Sequence, residues 1–175
     1  MSPDGRDTTG EASAAEPAAG DRARLTAIRF DQASIRRSNA NIEHEREVAI
    51  YDILDRNHFA LEGRDDGPYA LTIGLAEDRL VLAVESNSGG DPVTYMLSLT
   101  PFRRIIKDYF MVCESYYQAI RTAPPSRIQA IDMGRRGLHD EGSRVLSERL
   151  KGKIDIDHDT ARRLFTLICA LHWKG

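Results

Sequence analysis

The chain has 175 residues, 41% hydrophobic and 29% charged, with a formal net charge of −3 at pH 7. That length and apolar fraction suit one domain whose core needs no covalent staples, and the 2 cysteines exclude a disulfide framework. The near balance of 24 basic against 27 acidic residues argues against a dedicated nucleic-acid binder, which carries a plain basic excess.

Residues 1–21 hold small and polar side chains, the acids Asp4, Asp7, Glu11, Glu16 and Asp21 against Arg6, and no large apolar group beyond Met1. Such a segment buries too little surface to offset its chain entropy, so it is expected to be a disordered acidic tail in front of a single domain over residues 22–175. It has no basic start followed by an apolar core and so does not make a secretory signal. No apolar run approaches the roughly 20 residues a membrane helix requires, because Arg103, Arg104, Lys107 and Arg162 interrupt the most hydrophobic stretches. The expected location is the cytoplasm, with no membrane partner.

Arg24 to Phe30 alternates, with Thr26, Ile28 and Phe30 on one side, and predicts a first short strand. Ser38 and Asn39 are capping types ahead of Ile42, Ala49, Ile50, Ile53 and Leu54 at helical spacing, which predicts a helix over residues 40–57 ended with help from Asn57. A polar turn from Gly63 to Gly67 leads to three strands. They carry Tyr69, Leu71, Ile73 and Leu75, then Leu80, Leu82 and Val84, then Val93, Tyr95, Leu97 and Leu99 on single faces. A tight turn over Ala76 to Arg79 and a looser one over Asn87 to Pro92 make these an antiparallel meander, with the first strand as a fourth member.

From Pro101 onward the chain reads as helical. Thr100 as cap and Pro101 as first residue open a long helix along the stripe Phe102, Ile105, Ile106, Tyr109, Cys113, Tyr116, Tyr117 and Ile120. Ser126 with Gln129 forms a capping-box pattern for a second helix, which is expected to falter around Gly134 and Gly137 before a third resumes at Leu138, Val145, Leu146 and Leu150. An extended Ile154-Asp155-Ile156 leads to Asp157 or Asp159 as cap of a last helix with Ala161, Leu164, Phe165, Ile168 and Leu171 inward. The fold class is therefore α+β, a meander against about four to five helices, with residues 22–100 mainly sheet and 101–175 helical.

Charge divides along the same line. Residues 22–100 hold 9 basic and 13 acidic side chains, and residues 101–175 hold 14 and 9, so the helical half is the expected seat of an anionic partner. Within it, Gly134-Arg135-Arg136-Gly137-Leu138-His139-Asp140-Glu141-Gly142 combines guanidinium forks with glycines that let backbone approach a ligand. Arg135 and Arg136, with Arg103, Arg104 and Lys107 near the start of the long helix, are the anion-binding candidates. The plainer account is that adjacent arginines pair with acids such as Asp132 and Asp140.

Four stretches resemble an uncharacterised protein family of alphaproteobacteria, UPF0262. They are His44 to Ile50 (HEREVAI), Ser98 to Arg104 (SLTPFRR), Ile131 to Gly137 (IDMGRRG) and Thr160 to Cys169 (TARRLFTLIC). The resemblance covers essentially everything after the tail. It implies a small bacterial cytoplasmic protein and brings no assigned activity with it.

Other constellations have bland accounts. Asp155, Asp157, His158 and Asp159, with His139-Asp140-Glu141, fit no calcium loop, and helix capping explains them, so no metal and no cofactor are expected. Cys113 and Cys169 sit among apolar residues as buried thiols, and no serine lies in a nucleophile elbow. His44-Glu45-Arg46-Glu47 reads as a solvated, ion-paired face, and His172 beside Trp173 as packing or a C-terminal cation. Tyr109, Phe110, Tyr116 and Tyr117 are expected to be covered by the other helices, with a partner groove or homodimer face as the alternative.

The resulting expectation is a non-enzymatic interaction or regulatory protein whose basic helical half contacts an unidentified protein. The alternative is an enzyme or binding domain for a phosphorylated or carboxylated small molecule, with Arg135 and Arg136 orienting the anion, His139 as acid/base and Glu141 assisting. RNA association through Arg103, Arg104 and Lys107 ranks below both.

Overall fold

The computed structural model describes residues 19–172. Most of the expected tail therefore lies outside the described residues, as does Trp173. The last residues of that segment open a one-turn helix, α1 (Ala19–Arg22).

The larger sheet has the strand order β1 (Leu25–Phe30), β3 (Tyr69–Ala76), β4 (Arg79–Ser86), β5 (Val93–Ser98). β3, β4 and β5 form the expected antiparallel meander. β1 adds to it in parallel, Ile28 facing Leu71, which makes the sheet mixed. The reason is the crossover: helix α2 (Ala40–Asp55) carries the chain back before β3 begins, and a parallel pair requires such a return. The register of β1 shifts between Leu25 and Ala27. That irregularity buries Leu25 and Ile28 and leaves Thr26 exposed, so the expected Thr26, Ile28, Phe30 face is corrected there.

A second sheet joins distant parts of the chain. β2 (Phe59–Leu61) pairs antiparallel with β6 (Ile154–Ile156), Phe59 opposite Ile156 and Leu61 opposite Ile154. The extended character of Ile154 to Ile156 is as expected. β2, only 3 residues long, is too short to show alternation and is absent from the sequence reading.

Helix ends follow side-chain chemistry unevenly. Asn39 caps α2 by accepting from the Ile42 N–H at 3.0 Å. Asn57 clamps its other end, donating to the carbonyls of Ile53 at 2.9 Å and Leu25 at 3.2 Å and accepting from the Leu25 N–H at 2.8 Å. Helix α3 (Thr100–Thr122) begins one residue earlier than expected, with Leu99 as cap and the Thr100 N–H bonded to the Ser98 hydroxyl. Asp157 is the cap of helix α5 (His158–His172), accepting from the Thr160 N–H at 2.8 Å.

The helix expected to falter at Gly134 and Gly137 does not. Helix α4 (Pro125–Leu150) runs 26 residues without a break, and Pro124, not Ser126, precedes it as cap. An isolated glycine costs a helix about 1 kcal/mol against alanine, which the packing of α3 and α5 along α4 offsets. A methyl at Gly134 or Gly137 would enter open space, whereas one at Gly142 would run into the Phe165 ring. Of the three glycines, Gly142 is the one that a close approach requires, and what approaches is α5.

The inner face of the sheet carries Leu71, Ile73, Leu80 and Leu82, which meet Leu146 and Leu150 of α4 and Leu164 and Ile168 of α5. Alternation in β3 and β4 is the cause: every second residue points into this layer, and its neighbours, the buried Gly74 apart, remain half-buried or exposed. Phe102 and Phe165, both fully buried, stack at the junction of α3 and α5 with ring centres 6.5 Å apart. The apolar stripe of α3 is covered only through Cys113. Tyr117 and Ile120 stay 60% and 50% exposed, so the expectation that neighbouring helices cover all four aromatics fails at Tyr117. No helix among the described residues is long and apolar enough to cross a membrane.

Candidate functional site

The place where α4 crosses α5 is marked by His139, whose Nε2 lies 2.8 Å from the Thr166 hydroxyl. That hydroxyl is also 3.1 Å from the Arg162 carbonyl, to which it donates. With its proton committed there, Thr166 accepts from His139, which places the imidazole proton on Nε2 and leaves Nδ1 a bare acceptor. The opposite tautomer would give up one of these bonds and leave a buried N–H unpaired. The imidazole packs edge-on to Phe165 at 5.3 Å and against Tyr109 at 5.7 Å, and Nδ1 has no hydrogen-bond partner. Burial pushes its pKa down to about 4, and the charges of Arg162 and Arg135 add to that. His139 is neutral at pH 7.

Around this neutral centre stand four guanidinium groups. On α4, Arg135 donates from Nε and Nη2 to Asp132 at 3.1 and 2.7 Å and lies 5.5 Å above the Tyr116 ring. Arg136 reaches the other Asp132 oxygen at 3.0 Å, with 70% of its side chain exposed. The hydrogen bond from Arg135 holds the Asp132 carboxyl below the usual range, and the nearby Arg136 charge acts in the same direction. On α5, Arg162 ion-pairs with Asp140, and Arg163 donates to the Arg56 carbonyl at 2.7 Å. These arginines, with Tyr109, His139 and Thr166, line an open groove of about 510 Å³. Two carboxylates answer three of the four arginines, so the groove keeps a positive surplus and spare N–H donors.

Arg135, Arg136 and His139 are thus brought together. Arg103, Arg104, Lys107 and Glu141 are elsewhere. Arg103 ion-pairs with Asp78 in the β3–β4 turn, and Arg104 reaches Glu141 at 3.4 Å. Lys107 is exposed, and none of these four residues lines the groove. The first N–H groups of α3 are already taken by the Leu99 carbonyl and the Ser98 hydroxyl.

Sequence reasoning missed Arg162, Arg163 and Thr166. The available signal is a repeat: Arg135-Arg136 and Arg162-Arg163 each stand one helical turn before the residue that meets the other helix, His139 in one case and Thr166 in the other. Arg46 corrects the reading of His44 to Glu47 as a solvated face. His44, Glu45 and Glu47 are exposed, but Arg46 is buried, donating to Glu43 at 3.0 Å and to the carbonyls of Arg36 at 3.1 Å and Ala170 at 3.5 Å.

The remaining constellations are structural. Asp155 pairs with His58 at 2.9 Å, and His172 bonds the Ile168 carbonyl at 2.7 Å. Among the described residues, no group of three or more His, Cys, Asp or Glu side chains could hold a metal ion. Cys113 and Cys169 are free and buried, and burial pushes both thiols up.

The model of an uncharacterised protein family, UPF0262, matches residues 22–174. The chain belongs to that family. It is 60% identical over 152 residues to the UPF0262 protein of Rhodopseudomonas palustris strain TIE-1, covering 87% of this chain and 93% of the relative. A relative from Methylobacterium radiotolerans is 62% identical over 152 residues, 87% of this chain and 94% of its own length. One from Xanthobacter autotrophicus is 61% identical over 161 residues, 91% and 98% of the two chains. The matched span includes both arginine pairs, His139 and Thr166. No solved structure matches this chain.

Proposed function

We propose that this UPF0262 protein is a binding domain for a small anionic molecule, phosphorylated or carboxylated, seated between α4 and α5. The observation that carries the reading is the convergence of Arg135, Arg136, Arg162 and Arg163 around a neutral His139 in a concavity of about 510 Å³, within the usual size of ligand sites. Guanidinium forks suit the oxygens of phosphate and carboxylate, and Arg135, Arg136 and Arg162 are oriented by acids of the same chain. Free cysteines fit a reducing bacterial cytoplasm as the setting. The test is a thermal-shift screen against phosphorylated and carboxylated metabolites. A true ligand at about 100 times its dissociation constant adds about 2.7 kcal/mol of stability, and the gain should vanish in Arg136→Glu. Indifference of the wild-type protein to every compound would overturn the reading.

A second reading, an interaction role, rests on the outer part of the α3–α4 hairpin. Met111, Tyr117 and Ile120 of α3 and Met133 of α4 are at least half exposed there, and between Lys107 and Glu141 only Cys113 and Ala119 are buried. A two-helix layer with so little cover gains by pairing with a second copy of itself across a two-fold axis. Light scattering coupled to gel filtration should then give a dimer that Tyr117→Ser with Ile120→Ser converts to monomer. A monomeric wild type at high concentration removes this reading.

A further inference from the structure

We infer that the protein has a second binding site, separate from the arginine groove, for a monocarboxylate with a small apolar body, held by Arg46 between the end of β1 and the start of α2. A cavity of about 410 Å³ lies there and shares no residue with the groove between α4 and α5. Its size is that of a small-molecule site. Arg46 supplies the charge. The residue is 5% exposed, and a buried guanidinium is costly unless its N–H groups find acceptors. Nη1 donates to the Glu43 carboxylate at 3.0 Å and to the Arg36 carbonyl at 3.1 Å, and Nε makes a long bond of 3.5 Å to the Ala170 carbonyl. Nη2 has no acceptor among the described residues, and it is not one of the fully buried unpaired atoms there. The little surface that Arg46 keeps therefore includes Nη2, and Arg46 is part of the cavity wall. Glu43 does not supply the missing acceptor. The oxygen it offers already accepts from the Ser38 N–H at 2.6 Å as well as from Nη1.

The remaining walls define the rest of the ligand. Phe30, Ile35 and Ile50 line the same cavity, and the Arg46 guanidinium carbon lies 5.9 Å from the centre of the Phe30 ring. Apolar surface therefore borders the open N–H groups. Around them, Arg36, Arg37 and Arg46 stand against Glu43 and Glu47, three positive charges against two negative ones. A monoanion answers the surplus of one. A phosphate dianion would exceed it and bring a second charge up to the two glutamates. A neutral apolar molecule would cover Nη2 and leave it unpaired, which costs the desolvation of a charged donor. A carboxylate oxygen at Nη2, with the body of the molecule along Phe30, Ile35 and Ile50, satisfies both kinds of wall.

The experiment is titration of the full chain with benzoate, acetate and benzyl alcohol, followed by amide NMR, which shows where a probe lands as well as how tightly. Benzoate should shift the amides of residues 31–39 and of the first turns of α2 saturably. It should bind on the order of 10-fold tighter than acetate, because its ring adds buried apolar surface. Benzyl alcohol, which keeps the ring and lacks the charge, should leave those amides in place. Arg46→Lys should abolish the benzoate response, since it removes Nη2 and keeps the charge. Where that variant fails to fold, two changes at residues that are not buried carry the test: Ile50→Glu should abolish the response and Glu47→Gln should strengthen it. Benzoate shifts confined to α4 and α5 would overturn this site and leave the arginine groove standing. Absence of any saturable shift, equal affinity for benzoate and acetate, or an equal response to benzyl alcohol would each overturn the inference.

Discussion

His139 is a titratable group that folding keeps from titrating. Its pKa of about 4 in the folded protein lies below the ordinary value near 6.5 that it regains on unfolding. Between those values the unfolded chain binds a proton that the folded one refuses, so stability is fully present above about pH 6.5 and falls as pH drops toward 4. The expected result is a urea midpoint that declines across that window and declines less steeply in His139→Gln, measured by denaturation at pH 7 and pH 5. The depressed carboxyls of Asp66, Asp132 and Asp157 act in a separate range, because their contributions are lost as pH falls below the ordinary carboxylate value. At this scale the sequence was legible where a residue's partner is nearby along the chain, as with Asn39 and Ile42 or Asp157 and Thr160. It was not legible for Arg46, whose Ala170 carbonyl lies 124 positions away, because nothing local distinguishes a buried arginine from a solvated one.

At the scale of elements, glycine position decides what α4 can tolerate. Gly134 and Gly137 lie in open space in a helical backbone, so alanine at either should stabilise the protein by roughly 0.5–1 kcal/mol through helix propensity. Gly142→Ala should do the opposite, costing about 1–3 kcal/mol because its methyl would overpack against Phe165. Thermal denaturation of the three variants checks both signs. Stabilisation by Gly142→Ala would show that the α4–α5 approach is looser than described. The elements that were legible, β3 to β5, α3 and α5, bury one face along most of their length, and periodicity records that. The continuity of α4 was hidden because its covering comes from α3 on one side and α5 on another, so its apolar residues trace no single stripe. β2 was hidden for the simpler reason of length.

At the scale of the whole molecule, the α+β class and the meander followed from patterning, whereas the parallel placement of β1 and the mixed sheet depend on how α2 crosses over. The candidate site divided similarly. Arg135, Arg136 and His139 stood out as a dense run of polar groups between glycines, but Arg162 and Arg163 join them only because α5 returns across α4. The same return explains why Glu141, next in sequence to Asp140, is turned away toward Arg104. The expected boundary between a sheet half and a helical half is therefore not a mechanical division: α2 packs on α5, and Thr160 accepts from the His58 N–H at 2.9 Å.

The small β2–β6 ladder has a consequence for how the molecule is made. His58 and Asp155, which meet beside it, are 97 positions apart, so a chain emerging from the ribosome exposes Phe59 and Leu61 long before their mates exist. Leu71, Ile73, Leu80 and Leu82 wait in the same way for Leu164 and Ile168. Nascent chains thus carry uncovered greasy surface until β6 and α5 have been made, and that interval is when unpaired strand edges and exposed apolar faces are open to aggregation or chaperone capture.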